Sequence, residues 1–361
     1  MKKQLSLLVV ALLTVSLVLA GCGGGTPAPA PDQEQEVVVG FIYVGPIGDG
    51  GWTYAHNEGR LFLENELGVR TLFAESVPED EQSVINAITD MIDQGANVIF
   101  GTSFGFMDGM ERISADYPEV AFLHCSGYKT TDNMGNYFGR MYEPRYLSGI
   151  VAGLKTETNN IGYVAAFEIP EVVRGINAFT LGVQSVNPDA MVNVRWTQTW
   201  YNPATEKEAA IALLDAGADV IAMHQDTAGP LQAAEEAGAF AIGYHTVMES
   251  YAPDAYMTSP IWNFGPYYVE QVQKVIDGTW APEVYWGGMN DGIIALAPLT
   301  ELAPAEAFTL VTEAEAAIKS GEMHPFAGPI YDNTGELRVE EGQTMTDGEM
   351  LSFDWFVQGV R

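Results

Sequence analysis

The side chains best equipped for recognition or chemistry are gathered in short loops. Asp49, Trp52, Tyr54, His56 and Asn57 crowd into "GDGGWTYAHNEGR", and Phe104, Phe106 and Asp108 into "GTSFGFMDGM". Trp196, Trp200 and Tyr201 surround "WTQTWYNP", Gln225 and Asp226 sit in "AMHQDTAGP", His245 in "IGYHTVMES", and Trp262 and Asn263 in "YMTSPIWNFGPYY". Aromatic faces from two loops make a slot for a flat ligand, each stacked base contributing roughly 1–3 kcal/mol. A carboxylate at the slot's edge accepts charge-assisted hydrogen bonds from ring N–H and amino groups. Asp49 and Asp108 suit helix N-caps equally well. Phe106 and Trp196 suit a core, and His56 and His245 suit structural roles.

Bond-making chemistry has no comparable signal. The chain holds no Gly-x-Ser-x-Gly elbow, no Gly-x-x-x-x-Gly-Lys-Ser/Thr loop and no His-Glu-x-x-His pair. Its five histidines have no helical ligand spacing, so neither a metal nor a cofactor is expected. A calcium-dependent nucleoside hydrolase needs a cluster of aspartates, and the first loop offers Asp49 alone.

The elements that must position these loops alternate. "VVVGFIYV", "TLFAES", "NVIFGTS" and "VAFLHC" read as strands separated by amphipathic helices, which predicts a mostly parallel α/β sheet. The series then repeats as "IGYVAAF", "MVNVRWTQTW", "DVIAMHQ" and "FAIGYH", at an offset of about 122 residues. "DQGANVI" matches "DAGADVI", a helix end closed by glycine and followed by a strand. Two doubly wound, Rossmann-like lobes are therefore expected, joined by a hinge. Ligands of such sheets bind outside the carboxyl ends of the strands. The loops to watch are 45–52, 75–79, 102–108 and 125–129 in lobe one, and 167–173, 197–202, 223–229 and 245–250 in lobe two.

The N-terminus reads as an export signal: two lysines, an apolar run from Leu5 to Ala20, then "LAGC". That tetrapeptide resembles the bacterial lipobox, with Cys22 as the lipid-attachment residue. Residues 1–21 are expected to be the signal and 22–36, rich in Gly, Pro and acid, a flexible tether. Lobe one is expected at 37–156 plus 261–282, and lobe two at 157–260 plus 283–361. Cys125 is the only other cysteine, so no internal disulfide forms. The formal charge is −32, and loss of Lys2 and Lys3 with the signal takes it to about −34. A surface this acidic repels nucleic acid and anionic headgroups, and few basic loop residues are available for phosphates.

With lipobox, lobes and loops in place, the chain resembles the basic membrane protein family of substrate-binding lipoproteins, relatives of the bacterial purine nucleoside receptor. The resemblance spans residues 37–361. The family's Asp, aromatic and Glu-Gly pattern falls on Asp49, Trp52 and Glu58-Gly59; its Phe-x-Asp on Phe106-Met107-Asp108; its second aromatic on Trp200 ahead of Asn202-Pro203. Its glutamate after the fifth strand falls on Glu143. The resemblance implies a type I periplasmic-binding-protein fold, a purine ring between two aromatics, and delivery to an ABC permease and ATPase from a lipid-anchored position facing the periplasm or cell exterior. It implies no catalysis, and a monomer suits that role. Two positions depart from the nucleoside binders, because His245 and Trp262 stand where an Asp and a Lys hold the ribose. That favours a free base over a nucleoside. The ligand set expected is Asp49, Trp52, Tyr54, Phe104, Asp108, Trp196, Trp200, Gln225, Asp226, His245, Trp262 and Asn263. The alternatives are a sugar binder of the same fold, a sensory receptor ectodomain and a modified hydrolase.

Overall fold

The computed structural model describes residues 36–361; the signal, Cys22 and all but the last residue of the tether lie outside the described residues. From Val37 to Arg361 the chain is one compact unit built on two parallel sheets.

The first half runs β1 (Val38–Ile42), α1 (Trp52–Leu67), β2 (Arg70–Ala74), α2 (Glu81–Asp93), β3 (Val98–Gly101), α3 (Met107–Ser114), β4 (Ala121–Cys125) and β5 (Met134–Gly139). The second runs α4 (Tyr142–Lys155), β6 (Asn160–Ala165), α5 (Pro170–Val186), β7 (Met191–Trp196), α6 (Pro203–Asp215), β8 (Val220–His224), α7 (Gly229–Glu236), β9 (Phe240–Ile242) and β10 (Tyr256–Thr258). Then come β11 (Pro260–Trp262), α8 (Phe264–Ile276), β12 (Val284–Gly287), β13 (Ile294–Leu296), α9 (Ala305–Ser320), β14 (Ile330–Tyr331), β15 (Leu337–Val339) and α10 (Asp347–Leu351). Strands β1, β3, β4 and β8 are buried along their whole length, as strands covered by helices on both faces must be. Among the described residues no helix is long and apolar enough to cross a membrane.

The two sheets have the orders β12-β5-β4-β3-β1-β2 and β10-β9-β8-β6-β7. Apart from β12, one order maps onto the other. The repeat extends to side-chain packing. A Cβ on Gly40 would meet Ile99 Cδ1 at 2.7 Å and Met91 Sδ at 2.8 Å; on Gly162 it would meet Ile221 Cδ1 at 2.7 Å and Leu213 Cβ at 2.9 Å. Each of these partners is displaced by the same 122 residues. Gly95 and Gly217, also one repeat apart, share the left-handed backbone that closes the preceding helix.

The lobe boundaries differ from those expected at both ends. Helix α4 packs on α5 and α9, in lobe two. Small residues make that contact close: a Cβ on Gly149 would lie 2.1 Å from the Phe179 carbonyl oxygen, and one on Gly182 2.0 Å from that of Tyr146. Conversely, β12 pairs in parallel with β5 and completes the sheet of lobe one, so that lobe reaches Gly287 and not 282. Its α8 packs on α1. Strands β11 and β13 pair with each other where the chain crosses between lobes.

Candidate functional site

Helix α1 begins where Asp49 gathers backbone amides. Its carboxylate accepts the N–H of Gly51 at 2.9 Å, Thr53 at 2.8 Å and Tyr54 at 2.9 Å, satisfying donors that a helix start leaves open. Burial pushes this carboxyl up to about 6, against the opposing pull of those three bonds. The capping fixes Trp52 at the first helical turn. There its indole N–H donates to the Thr102 carbonyl at 2.7 Å, and its ring meets His245 and Trp262 edge-on at 5.3 and 5.6 Å.

Between the lobes lies a narrow cavity of about 20 Å³. Lobe one lines it with Val44, Trp52, Ser103, Phe104 and Ser126; lobe two with Glu171, Trp200, His224, Asp226 and His245. Trp200 is held edge-on to Phe167 at 5.0 Å. Along Phe104, Ser126 and Glu171 the cavity gives onto a wider cleft of about 810 Å³.

The polar wall belongs to lobe two. Asp226, 3 % exposed, has its Oδ1 3.5 Å from His245 Nε2, and its Oδ2 has no hydrogen-bond partner. Burial raises this carboxyl well above the ordinary range, and the nearby charges of Asp49 and Glu206 push the same way. His245, whose backbone is left-handed at φ 70°, accepts the indole N–H of Trp262 on Nδ1 at 3.1 Å. Burial lowers it well below the usual histidine range, with His224, Arg145 and His56 adding to the effect. His224 is lowered to about 4, chiefly by burial, and its Nε2 lies 3.5 Å from Glu171 Oε1. Both rings are therefore neutral near pH 7. The wall combines neutral imidazoles with carboxyl groups, and it carries no lysine or arginine.

Of the residues expected from sequence, Trp52, Phe104, Trp200, Asp226 and His245 meet at this cavity. Asp49 and Trp262 stand one layer behind it, the first under α1 and the second stacked on Phe264 at 4.9 Å with its N–H on His245. Gln225 is buried beside the wall and donates to Thr197 Oγ1 at 2.6 Å.

Four expected residues lie elsewhere. Asp108 is 70 % exposed along its side chain and pairs with Lys129 at 2.8 Å, since the first turn of α3 turns it to solvent. Tyr54 is 40 % exposed, because Trp52 two residues earlier takes the inward face of α1. Trp196 packs against Phe356 of the C-terminal segment, and Asn263 caps the end of the hinge strand with its amide on the Gly292 carbonyl at 3.0 Å. Glu143 also lies apart, accepting the Met289 N–H at 2.8 Å. Phe106 is fully buried in the core of lobe one.

Val44, Ser103, Ser126, Glu171 and His224 were not singled out by sequence reasoning. All but Val44 fall inside the loops that strand polarity marks. Their residue types carried no signal: a glutamate in a first turn and a histidine closing an apolar strand are ordinary.

Comparison with known proteins identifies the family. Residues 36–332 match the family described as Bmp, ABC transporter substrate-binding protein PnrA-like. A purine-binding protein of Brucella abortus is 40 % identical over 95 % of this chain and 98 % of its own. A protein of Haloferax volcanii, named for glucose binding in an ABC transporter, is also 40 % identical, over 85 % of this chain and 79 % of its own. An ABC transporter solute-binding protein of Aeropyrum pernix shares the fold with a TM-score of 0.71 at 21 % identity, covering 80 % of this chain and 92 % of that one. The architecture is the two-lobed type I periplasmic-binding-protein fold. The chain belongs to the PnrA-like (Bmp) family of ABC transporter substrate-binding proteins.

Proposed function

We propose that this protein binds a purine, the free base in preference to its nucleoside, and hands it unchanged to an ABC permease. The observation that carries the reading is the pairing of Trp52 and Trp200, from opposite lobes, on one cavity whose remaining wall is Asp226, His245, Glu171 and His224. Flat aromatic walls with hydrogen-bonding groups at the rim suit a nucleobase. The relative named for purine binding supports the same class.

The preference for a free base rests on Trp262. Its indole is stacked on Phe264, packed on Phe138 at 4.9 Å and hydrogen-bonded to His245, so the position that resemblance assigns to a ribose contact is filled by a fixed ring. The absence of chemistry is supported by the family, which is one of substrate-binding proteins. Lipid at Cys22 and the tether would hold the protein at the membrane, facing outward. A monomer presents both lobes to the permease.

A sugar is the second reading, favoured by the Haloferax relative's name and by the carboxyl groups and serines on the wall. Calorimetric titration of protein unfolded and refolded to shed bound ligand, against adenine, guanine, hypoxanthine, their nucleosides and glucose, separates them. Tight binding of a base without its nucleoside is the expected result. Tight nucleoside binding overturns the base preference, and glucose alone overturns the purine reading.

A further inference from the structure

The two cavity histidines stand side by side, ring centroids 6.3 Å apart and planes at 86°. Each turns Nε2 toward a carboxylate oxygen at 3.5 Å, Asp226 for His245 and Glu171 for His224. His245 turns Nδ1 toward a group that can only donate, the Trp262 indole N–H. His224 Nδ1 has no hydrogen-bond partner, and Arg145, which can only donate, borders the same small chamber as His224.

Arg145 is fully buried and makes no ion pair among the described residues. One nitrogen donates to the Met223 carbonyl at 2.7 Å, and the guanidinium lies 3.5 Å over the Tyr244 ring. Its Nε and Nη2 have no partner, and neither has His224 Nδ1. All border a small chamber behind the cavity with room for about one water molecule.

We propose that the cavity reads its ligand through two histidine–carboxylate pairs of fixed tautomer, His245 with Asp226 and His224 with Glu171, and that Trp262 and Arg145 are the positioning residues that fix them. The proposal rests on this cavity being the ligand site. The indole N–H of Trp262 requires a lone pair on His245 Nδ1, and a water in the chamber that accepts both unpartnered Arg145 N–H groups has only protons left to give His224 Nδ1, so in each ring the proton sits on Nε2. Each Nε2–H is then too far from its carboxylate for a full hydrogen bond, and both donor and acceptor are open to a third party. Two such pairs on one wall complement an edge that carries an amino group flanked by ring nitrogens. Adenine offers N7 as acceptor and its amino group as donor, whereas guanine and other 6-oxopurines offer two acceptors there. The structure thus assigns a 6-aminopurine over a 6-oxopurine.

Histidine ring-nitrogen NMR on the ¹⁵N-labelled protein at pH 7 tests the tautomers without any ligand. His224 and His245 should both show an unprotonated Nδ1 and a protonated Nε2; a proton on Nδ1 of either overturns the proposal, whatever the ligand proves to be. Trp262→Phe should release His245 alone, and Arg145→Met His224 alone, into mixed tautomers. Each change should weaken adenine about tenfold, the scale of one hydrogen bond. Variants that keep wild-type tautomers and lose only melting temperature would mean that these residues merely pack. Adenine should bind at least tenfold more tightly than hypoxanthine. The reverse order overturns the amino-edge assignment and leaves the purine reading standing.

Discussion

Gly51 and Asp226 face each other backbone to backbone across the two lobes: a Cβ on Gly51 would lie 2.3 Å from the Asp226 carbonyl oxygen. Next to it, the Gly50 carbonyl accepts the Thr246 hydroxyl at 2.6 Å, and a Cβ on Gly50 would meet the Tyr251 hydroxyl at 2.5 Å. The glycine pair before α1 therefore gives lobe two room to approach lobe one. Gly51→Ala should hold the lobes apart, because the obstructing atom is backbone and cannot move aside. Ligand affinity should fall about tenfold or more, the melting temperature of the unliganded protein should stay within a few degrees, and small-angle scattering should show no compaction on adding ligand. Normal affinity with normal compaction would refute this role.

The tryptophans should separate cleanly. Trp200→Ala and Trp52→Phe weaken binding, the first by roughly 1–3 kcal/mol if it stacks on the ligand. Trp196→Ala should leave affinity unchanged, since its ring packs on Phe356 away from the cavity. Titration calorimetry of the three variants decides whether the cavity or the wider cluster of aromatic loops holds the ligand.

Two aspartates that look alike in sequence should behave oppositely. Asp108 is exposed and paired with Lys129, so Asp108→Ala should alter affinity less than twofold and stability by about 0.5 kcal/mol at most. Asp226 is buried with an unpartnered oxygen on the cavity, and Asp226→Asn should weaken binding at least tenfold. Equal effects would mean that the loop after β3 contributes to the site after all.

Protonation should expose the buried histidines. His124 is fully buried, its Nε2 2.7 Å from the Ser103 carbonyl, and burial lowers it to about 4. The unfolded chain takes up its proton near 6.5 and the folded chain only near 4. Its contribution is thus present above pH 6.5 and lost as pH falls toward 4, on the order of 3 kcal/mol in all. Asp49 works in the opposite sense, because a carboxyl raised to about 6 favours the folded state as pH drops from 6 toward its unfolded value. Denaturant unfolding of wild type and His124→Gln from pH 7 to pH 4 should show the variant losing less stability across that window. Parallel curves would place no titration at His124.

The sequence by itself determined the two lobes and the ends of the strands at which to look. Strand and helix periods are local, and a repeat carries its packing with it, as the matched neighbours of Gly40 and Gly162 show. It likewise determined that Trp52 and Trp200 would stand at those ends, since each lies where a strand or its loop gives way to a helix with Gly or Pro beside it. The tertiary structure decided which polar groups share the cavity. Glu171 joins it and Asp108 leaves it because side-chain direction within a helical turn depends on which face the lobe buries, and His224 joins it because it ends a strand whose carboxyl end opens on the cavity. It decided also that β12 returns to lobe one and α4 to lobe two, since a crossover is fixed by an open sheet edge and a groove between helices, both of which exist only after the lobes have formed. The histidine–carboxylate pairs belong to the same class of fact. His224 and His245 lie on different strand ends, Trp262 on the hinge and Arg145 on α4, and only burial together gives the four a common meaning.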